Sequence, residues 1–211
     1  ASMLSIPRDL WVEMPDGFDP NTINTANFIG DAYDLPEKGP GFAMKTVRNN
    51  LGVSVDYYVR LDFTAFEAIV DAVGGIEIDN PTDIEDPEYP DGSYGYEPFY
   101  LTAGHHTLNG HDALRYARTR HDDSDINRAE RQQQVVMAVR EKVLSVGSLP
   151  SLLAQAPALY AKLQESIQTN LTMDQIISLA LLAQDIPREN IKSGVIDYRY
   201  VTEETTAEGR Q

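Results

Sequence analysis

Residues 56–78, DYYVRLDFTAFEAIVDAVGGIEI, decide the fold class. In the first part Tyr57, Val59, Leu61 and Phe63 alternate with Tyr58, Arg60 and Asp62. A period of two predicts a strand over residues 56–63. The period then changes. Thr64-x-x-Glu67 has the form of a capping box, and Phe66, Ile69, Val70 and Val73 follow at helical spacing. Gly74–Gly75 is a natural stop, and residues 76–78 (IEI) read as a second strand. Strand, helix and strand in immediate succession predict an α/β fold.

The flanks extend that pattern. Residues 3–6 read as a short buried strand, stopped by Pro7, which leaves Arg8 and Asp9 at its carboxyl end. Residues 11–14 suggest another strand before the turn at Asp16–Gly17. Glycines and prolines make residues 31–41 a loop. Residues 43–51 have helical spacing and end at Gly52. Residues 80–100, rich in proline, tyrosine and acid and without lysine or arginine, predict an exposed loop or hairpin. Residues 152–163 read as a helix interrupted by Pro157. Thr172-x-x-Gln175 is a second capping box, opening an apolar helix. Residues 191–201 are expected to close the sheet. One domain over residues 1–202 with a polar tail over 203–211 fits a chain of 211 residues.

Composition excludes several functions. A formal net charge of −16 argues against general nucleic-acid binding, whose affinity comes mainly from neutralising phosphates. The absence of cysteine removes disulfides, thiol nucleophiles and thiolate metal sites. No apolar run reaches the length of a membrane span. The opening, ASMLSIPRD, reads like the middle of a strand, as in a fragment of a longer protein. No P-loop, dinucleotide-binding or nucleophile-elbow sequence occurs, and the acids from Asp83 to Asp91 lack the spacing of a calcium loop. His105, His106 and His111 match no standard zinc pattern and are expected in a glycine-rich loop, as surface or hydrogen-bonding residues.

Against this acidity, five of the twelve arginines fall within residues 115–131, RYARTRHDDSDINRAER. Residues 121–124 are turn-like, and Asp125 is a candidate N-cap for a following helix. Arg128, Arg131 and Gln132 then share one face near that helix's N-terminus, a place that already favours anions. Arg118 and Arg120 point the same way if their segment is extended. One reading is a clamp for a di- or polyphosphate, since guanidinium forks fit phosphate oxygens. The other is a solvated charged face in which Asp122, Asp123, Asp125 and Glu130 pair locally.

Several segments together resemble the LytR–CpsA–Psr family. They are SIPRDLWV (residues 5–12), INTA (23–26), TVRNNLGVSVDYYVRLDF (46–63), VDAVGGIEID (70–79), LNGHDALRYARTRHDDSDINRAERQQQVV (108–136) and TNL (169–171). They occur in order, with compatible spacing, over most of the chain. The resemblance implies a three-layer α/β/α domain with a central mixed β-sheet. It implies a phosphotransferase that moves a glycopolymer (wall teichoic acid, capsule or arabinogalactan) from a polyprenyl-pyrophosphate carrier to a peptidoglycan hydroxyl. The lipid would lie in an apolar tunnel, for which Phe66, Ile69 and Val70 are candidates or else plain core. A hydrolase of the same linkage and a non-catalytic binder of anionic lipid or glycan remain alternatives.

Site roles follow from the same resemblance. Arg8, Arg118, Arg120, Arg128 and Gln132 match pyrophosphate-binding positions, with Arg118, Arg120 and Asp125 as the catalytic set. Asp9 and Asp125 resemble acidic residues that orient the arginines. Magnesium is the implied cofactor, its ligands upstream of this chain, so none of these residues is expected to bind metal. The implied place is the outer face of the bacterial plasma membrane, with a transmembrane helix preceding this chain as anchor. The family's older description as transcriptional attenuators is what the acidity speaks against.

Overall fold

A computed structural model describes residues 1–120, 125–145, 148–197 and 199–201. In chain order the elements are β1 (Ser2–Ser5), β2 (Trp11–Val12), β3 (Asn21–Thr22), α1 (Thr25–Ala32), α2 (Lys38–Leu51), β4 (Val59–Leu61), α3 (Phe63–Ala72) and β5 (Ile76–Asn80). There follow β6 (Ile84–Asp86), β7 (Phe99–Leu101), β8 (Gly104–Leu108), α4 (Gly110–Arg118), α5 (Asp125–Leu144), α6 (Ser148–Leu163), β9 (Ile167–Thr169), α7 (Met173–Gln184) and β10 (Lys192–Val195). This is the expected α/β fold, with helices packed around small sheets, parallel and antiparallel, as suits a three-layer α/β/α arrangement. No helix among the described residues is long and apolar enough to cross a membrane. The expected turn over residues 121–124 and the tail from residue 203 lie outside the described residues.

The chain forms two compact units, Ala1–Tyr58 with Arg188–Gln211, and Val59–Pro187. In the first, β1 pairs in parallel with β10, Ser2 opposite Lys192 and Ser5 opposite Val195, so the C-terminal segment joins a sheet as expected. β1 is not buried, however: it has one paired neighbour among the described residues, and Leu4 is 54% exposed. The core here is Val12, Met14, Ala26, Ile29 and Phe42. Residues 31–41 are not one loop. α1 runs to Ala32 and α2 starts at Lys38. Pro40 sits in the first turn of α2, where its missing N–H costs nothing. Gly39 permits close helix approach, because a Cβ there would lie 2.3 Å from the Asn27 carbonyl oxygen. Gly52 ends α2 in the left-handed conformation, as expected.

In the second unit, β5 and β8 pair antiparallel with Ile76 opposite Leu108, and inward residues of β5 alternate with exposed ones. Their inner face joins Val70 of α3, Tyr116 and Ala117 of α4, and Val135 of α5 in one core. Residues 80–100 contain a hairpin, β6 against β7, whose Tyr89 and Phe99 enter that core. The strand expected over 56–63 is shorter. β4 covers Val59–Leu61 because its partner β9 offers three residues, and its side chains are exposed. The cap of α3 is Asp62, whose Oδ1 accepts the Ala65 N–H at 2.8 Å, and not Thr64. That bond, helped by the Ser166 hydroxyl, also holds the Asp62 carboxyl below its ordinary range. The box at Thr172 and Gln175 forms as expected, with both reciprocal bonds present. α6 runs continuously through Pro157.

α3 and α4 touch at Gly110, where a Cβ would lie 2.3 Å from the Glu67 carbonyl oxygen. Backbone on both sides leaves no flexible group to yield. Gly110→Ala is therefore expected to lower stability by about 1–3 kcal/mol in urea unfolding, the usual cost of overpacking. A change near zero would show that the two helices separate freely.

Candidate functional site at the α4–α5 corner

The N-terminus of α4 is fixed by Asn109, whose Oδ1 accepts the Asp112 N–H at 2.8 Å. Asp71 of α3 accepts the Gly110 N–H at 2.7 Å. At the other end, Thr119 turns extended (φ −52°, ψ 143°) while its N–H still bonds the Arg115 carbonyl. Its hydroxyl donates to Asp86 Oδ2 at 2.6 Å, and both residues are buried. Thr119 thus takes the inward position, between half-buried Arg118 and exposed Arg120. Arg118 is still the last helical residue of α4, so the R-x-R segment expected to be extended is not extended throughout.

α5 grips this corner. Arg131 donates from Nε to the Tyr116 carbonyl at 3.0 Å and from Nη2 to the Thr119 carbonyl at 2.6 Å. Gln132 donates from Nε2 to the Ala117 carbonyl at 3.2 Å, and the Tyr116 hydroxyl bonds Gln134 Oε1 at 2.6 Å. Tyr116 and Ala117 carry final carbonyls that a helix cannot satisfy itself. Arg131, 9% exposed, is therefore a structural cap rather than part of a solvent-facing clamp. Gln132 is exposed but leans on α4 as well. Burial raises the Tyr116 phenol above its ordinary pKa, with the Arg131 charge opposing.

Arg118 is held by aromatic rings. Its guanidinium lies 4.0 Å from the centre of the Phe63 ring, and Nη1 donates to the Tyr89 phenolic oxygen at 3.0 Å. Tyr89 is buried, which raises its pKa despite the neighbouring Arg118 charge. A cation on an aromatic face with a hydrogen bond at its edge has a defined direction. Phe63 and Tyr89 escape sequence reasoning because each has the appearance of plain core or loop. Arg115 also turns from solvent. It lies over Phe99 at 4.7 Å and Tyr89 at 5.6 Å, and bonds the Glu97 carbonyl at 3.4 Å and the Pro98 carbonyl.

The remaining expected residues fall as follows. Arg128 is half-buried on α5, one turn before Gln132, and Asp125 is the first residue of α5 rather than the residue preceding it. Asp122 and Asp123 lie outside the described residues. Arg118, Arg120, Arg128 and Gln132 thus belong to one corner of the second unit. Arg8 and Asp9 form a turn in the first unit. There Asp9 Oδ1 accepts from Arg8 Nε at 3.2 Å and from Asn24 Nδ2 at 3.3 Å, and the Asn24 N–H bonds the Arg8 carbonyl at 3.1 Å. Asp9 thus contacts the Arg8 side chain, and Asn24 bonds both residues. The ion pair itself is half-exposed and weak.

The histidines are not in a glycine-rich loop. His105 and His106 lie on β8, and His111 is in the first turn of α4. His105 contacts Asp79 at 2.8 Å and Glu77 at 3.0 Å, and His106 bonds the Thr102 carbonyl at 2.8 Å. Both carboxylates raise the His105 pKa, Asp79 most. Among the described residues no group of three or more His, Cys, Asp or Glu side chains is placed to hold a metal ion.

Known proteins resemble this chain in sequence and in fold. The sequence profile of the LytR_cpsA_psr family matches residues 1–209. The polyisoprenyl-teichoic acid–peptidoglycan teichoic acid transferase TagT of Bacillus subtilis (strain 168) is 38% identical over 152 residues, 72% of this chain and 44% of that protein. The crystal structure of B. subtilis TagV superposes with a TM-score of 0.71 at 28% identity, covering 92% of this chain and 69% of that one. The structure described as TagT bound to LIIa-WTA gives 0.69 at 30% identity, covering 92% and 66%. The chain spans between about a third and about half of the length of the curated relatives it matches, 34% to 53%.

The arginines divide by role, and stability separates them. Arg131→Ala leaves two carbonyls without this donor and is expected to cost about 2–4 kcal/mol in urea unfolding. Arg120→Ala, at an exposed position, should stay within about 0.5 kcal/mol. Equal losses would contradict the division.

Proposed function

This chain belongs to the LytR–CpsA–Psr family, and from that premise we propose that it moves a glycopolymer from a polyprenyl-pyrophosphate carrier to a peptidoglycan hydroxyl. The observation that carries this reading is the pair Arg118 and Arg120 around buried Thr119. Arg118 is aimed by Phe63 and Tyr89, and Arg120 is presented to solvent. Homology to teichoic acid transferases supports the substrate class. On this reading residues 1–202 are one domain of the family, on the outer face of the plasma membrane and anchored by a preceding helix. Magnesium is the proposed metal, with its ligands upstream of this chain.

In the proposed reaction the acceptor hydroxyl oxygen attacks the sugar-linked phosphorus. The bond from that phosphorus to the bridging oxygen breaks, and polyprenyl phosphate leaves with the electron pair. The hydroxyl proton passes to a base. Charge gathers on the non-bridging oxygens, and guanidinium groups held in advance stabilise it without reorganising. Arg118 and Arg120 take that role, with Arg8, Arg128 and Gln132 binding the pyrophosphate. Asp9 and Asp125 orient the arginines. Arg118 is suited to the work because its aromatic seat leaves fewer directions open to it than a solvated guanidinium has.

The test uses the protein containing this chain, with magnesium, a polyprenyl-pyrophosphate-linked saccharide and peptidoglycan oligomers. Mass spectrometry follows the saccharide. Phosphosaccharide on peptidoglycan is expected, reduced about a hundredfold in Arg118→Ala and in Arg120→Ala, as for loss of one oxyanion-stabilising donor. Free saccharide phosphate would instead mark a hydrolase, and intact substrate a binding module. Normal turnover in both variants would remove these arginines from the reaction.

A further inference from the structure

Three cationic or protonatable side chains of α4, His111, Arg115 and Arg118, are spaced i, i+4 and i+7, one stripe along the helix. All three touch the segment between β6 and β7. Arg118 bonds the Tyr89 phenol. Arg115 bonds the carbonyls of Glu97 and Pro98, and its Nη1 lies 3.6 Å from the Glu97 carboxylate. Its buried Nε has no hydrogen-bond partner among the described residues, and its guanidinium carbon lies over the Tyr89 and Phe99 rings. His111 places Nε2 3.2 Å from Glu97 Oε1 and Nδ1 3.3 Å from Glu67 Oε1 of α3. The backbone closes the circuit, since the Glu97 N–H donates to the Tyr89 carbonyl at 2.8 Å. The residue that seats Arg118 is thus bonded to the residue that His111 and Arg115 hold.

We propose that His111 and Arg115 are positioning residues: as an imidazolium donating to both Glu67 and Glu97, His111 joins Arg115 in fixing the β6–β7 segment, and so fixes Tyr89 and the direction of Arg118. The geometry demands the charged ring, because neutral imidazole has one N–H and cannot donate to two carboxylates. Among the described residues the ring contacts Glu67 of α3 and Glu97 of the hairpin, while on α4 Arg115 shares Glu97 with it and pairs with Asp112. The bond to Glu97 raises the His111 pKa above its ordinary value, outweighing partial burial, with Glu67 adding to the rise. A raised folded value means that the clasp is complete below pH 6.5 and lost as pH rises through the folded value. The consequence for catalysis rests on the transferase reading; the consequence for the hairpin does not.

The experiment therefore has two parts. Amide exchange of Glu97 is compared across pH 5.5–9 between the wild type and His111→Lys, which keeps a cation throughout this range. The ratio of protection, wild type to variant, should fall by about threefold as His111 deprotonates, as for a half-exposed ion pair. A ratio flat with pH overturns the clasp. The second part measures binding of a short polyprenyl pyrophosphate to the same two proteins. Wild-type affinity should weaken over the same pH interval while His111→Lys holds steady, and Glu97→Gln should abolish the difference. Exchange that follows pH with affinity that does not would overturn the positioning role alone. Failure of the wild type to bind at any pH, with the exchange effect intact, would remove the pyrophosphate reading and with it the positioning role, and leave the clasp standing.

Discussion

The α4–α5 corner depends on the Arg131 guanidinium. It supplies donors to the Tyr116 and Thr119 carbonyls where α4 can no longer satisfy them, from a side chain that is itself buried. Because Arg131 holds the end of α4 and Asp86 holds Thr119 from the other side, the chain leaves the helix in one conformation. Arg118 and Arg120 are displayed by that conformation. A buried charge with these bonds is costly to disrupt, which keeps the corner from relaxing.

The five arginines of residues 115–131 are chemically alike, yet the structure gives them different tasks. Arg131 caps a helix, and Arg115 fastens a hairpin over aromatic rings. Arg118 stands between the two kinds, packed on Phe63 and Tyr89 yet half-buried rather than enclosed, while Arg120 is exposed. Of the residues that the sequence groups on one face of α5, Arg131 turns inward to α4, while Arg128 is half-buried and Gln132 exposed. In an acidic protein such a concentration of fixed positive charge is suited to an anionic ligand, and aromatic seats make its direction definite.

Much of the fold was legible where local chemistry decides it. The box at Thr172 and Gln175, the stop at Gly52, and the change of period after residue 63 all depend on residues a few positions apart. The errors lie where distant residues decide. β4 ends where β9 ends, which no local pattern states. Asp62 preceded Thr64 as a cap by two residues, and both are good capping types. Residues 31–41 looked like a loop because Gly39 and Pro40 break most helices, whereas here one permits contact with α1 and the other occupies a first turn. In the site, Arg118 and Arg120 could be named from sequence. Phe63 and Tyr89 could not, since only the fold brings the start of α3, a hairpin and the end of α4 to one guanidinium.

The central claim is that the outward arginines of this corner, and not the inward one, meet a pyrophosphate. Arginine Nε–Hε resonances report it directly, recorded while a short polyprenyl pyrophosphate is titrated into the protein. Progressive shifts are expected at Arg118, Arg120 and Arg128, with little change at Arg131. Shifts that are largest at Arg131, or absent from Arg118 and Arg120 at saturation, would contradict it.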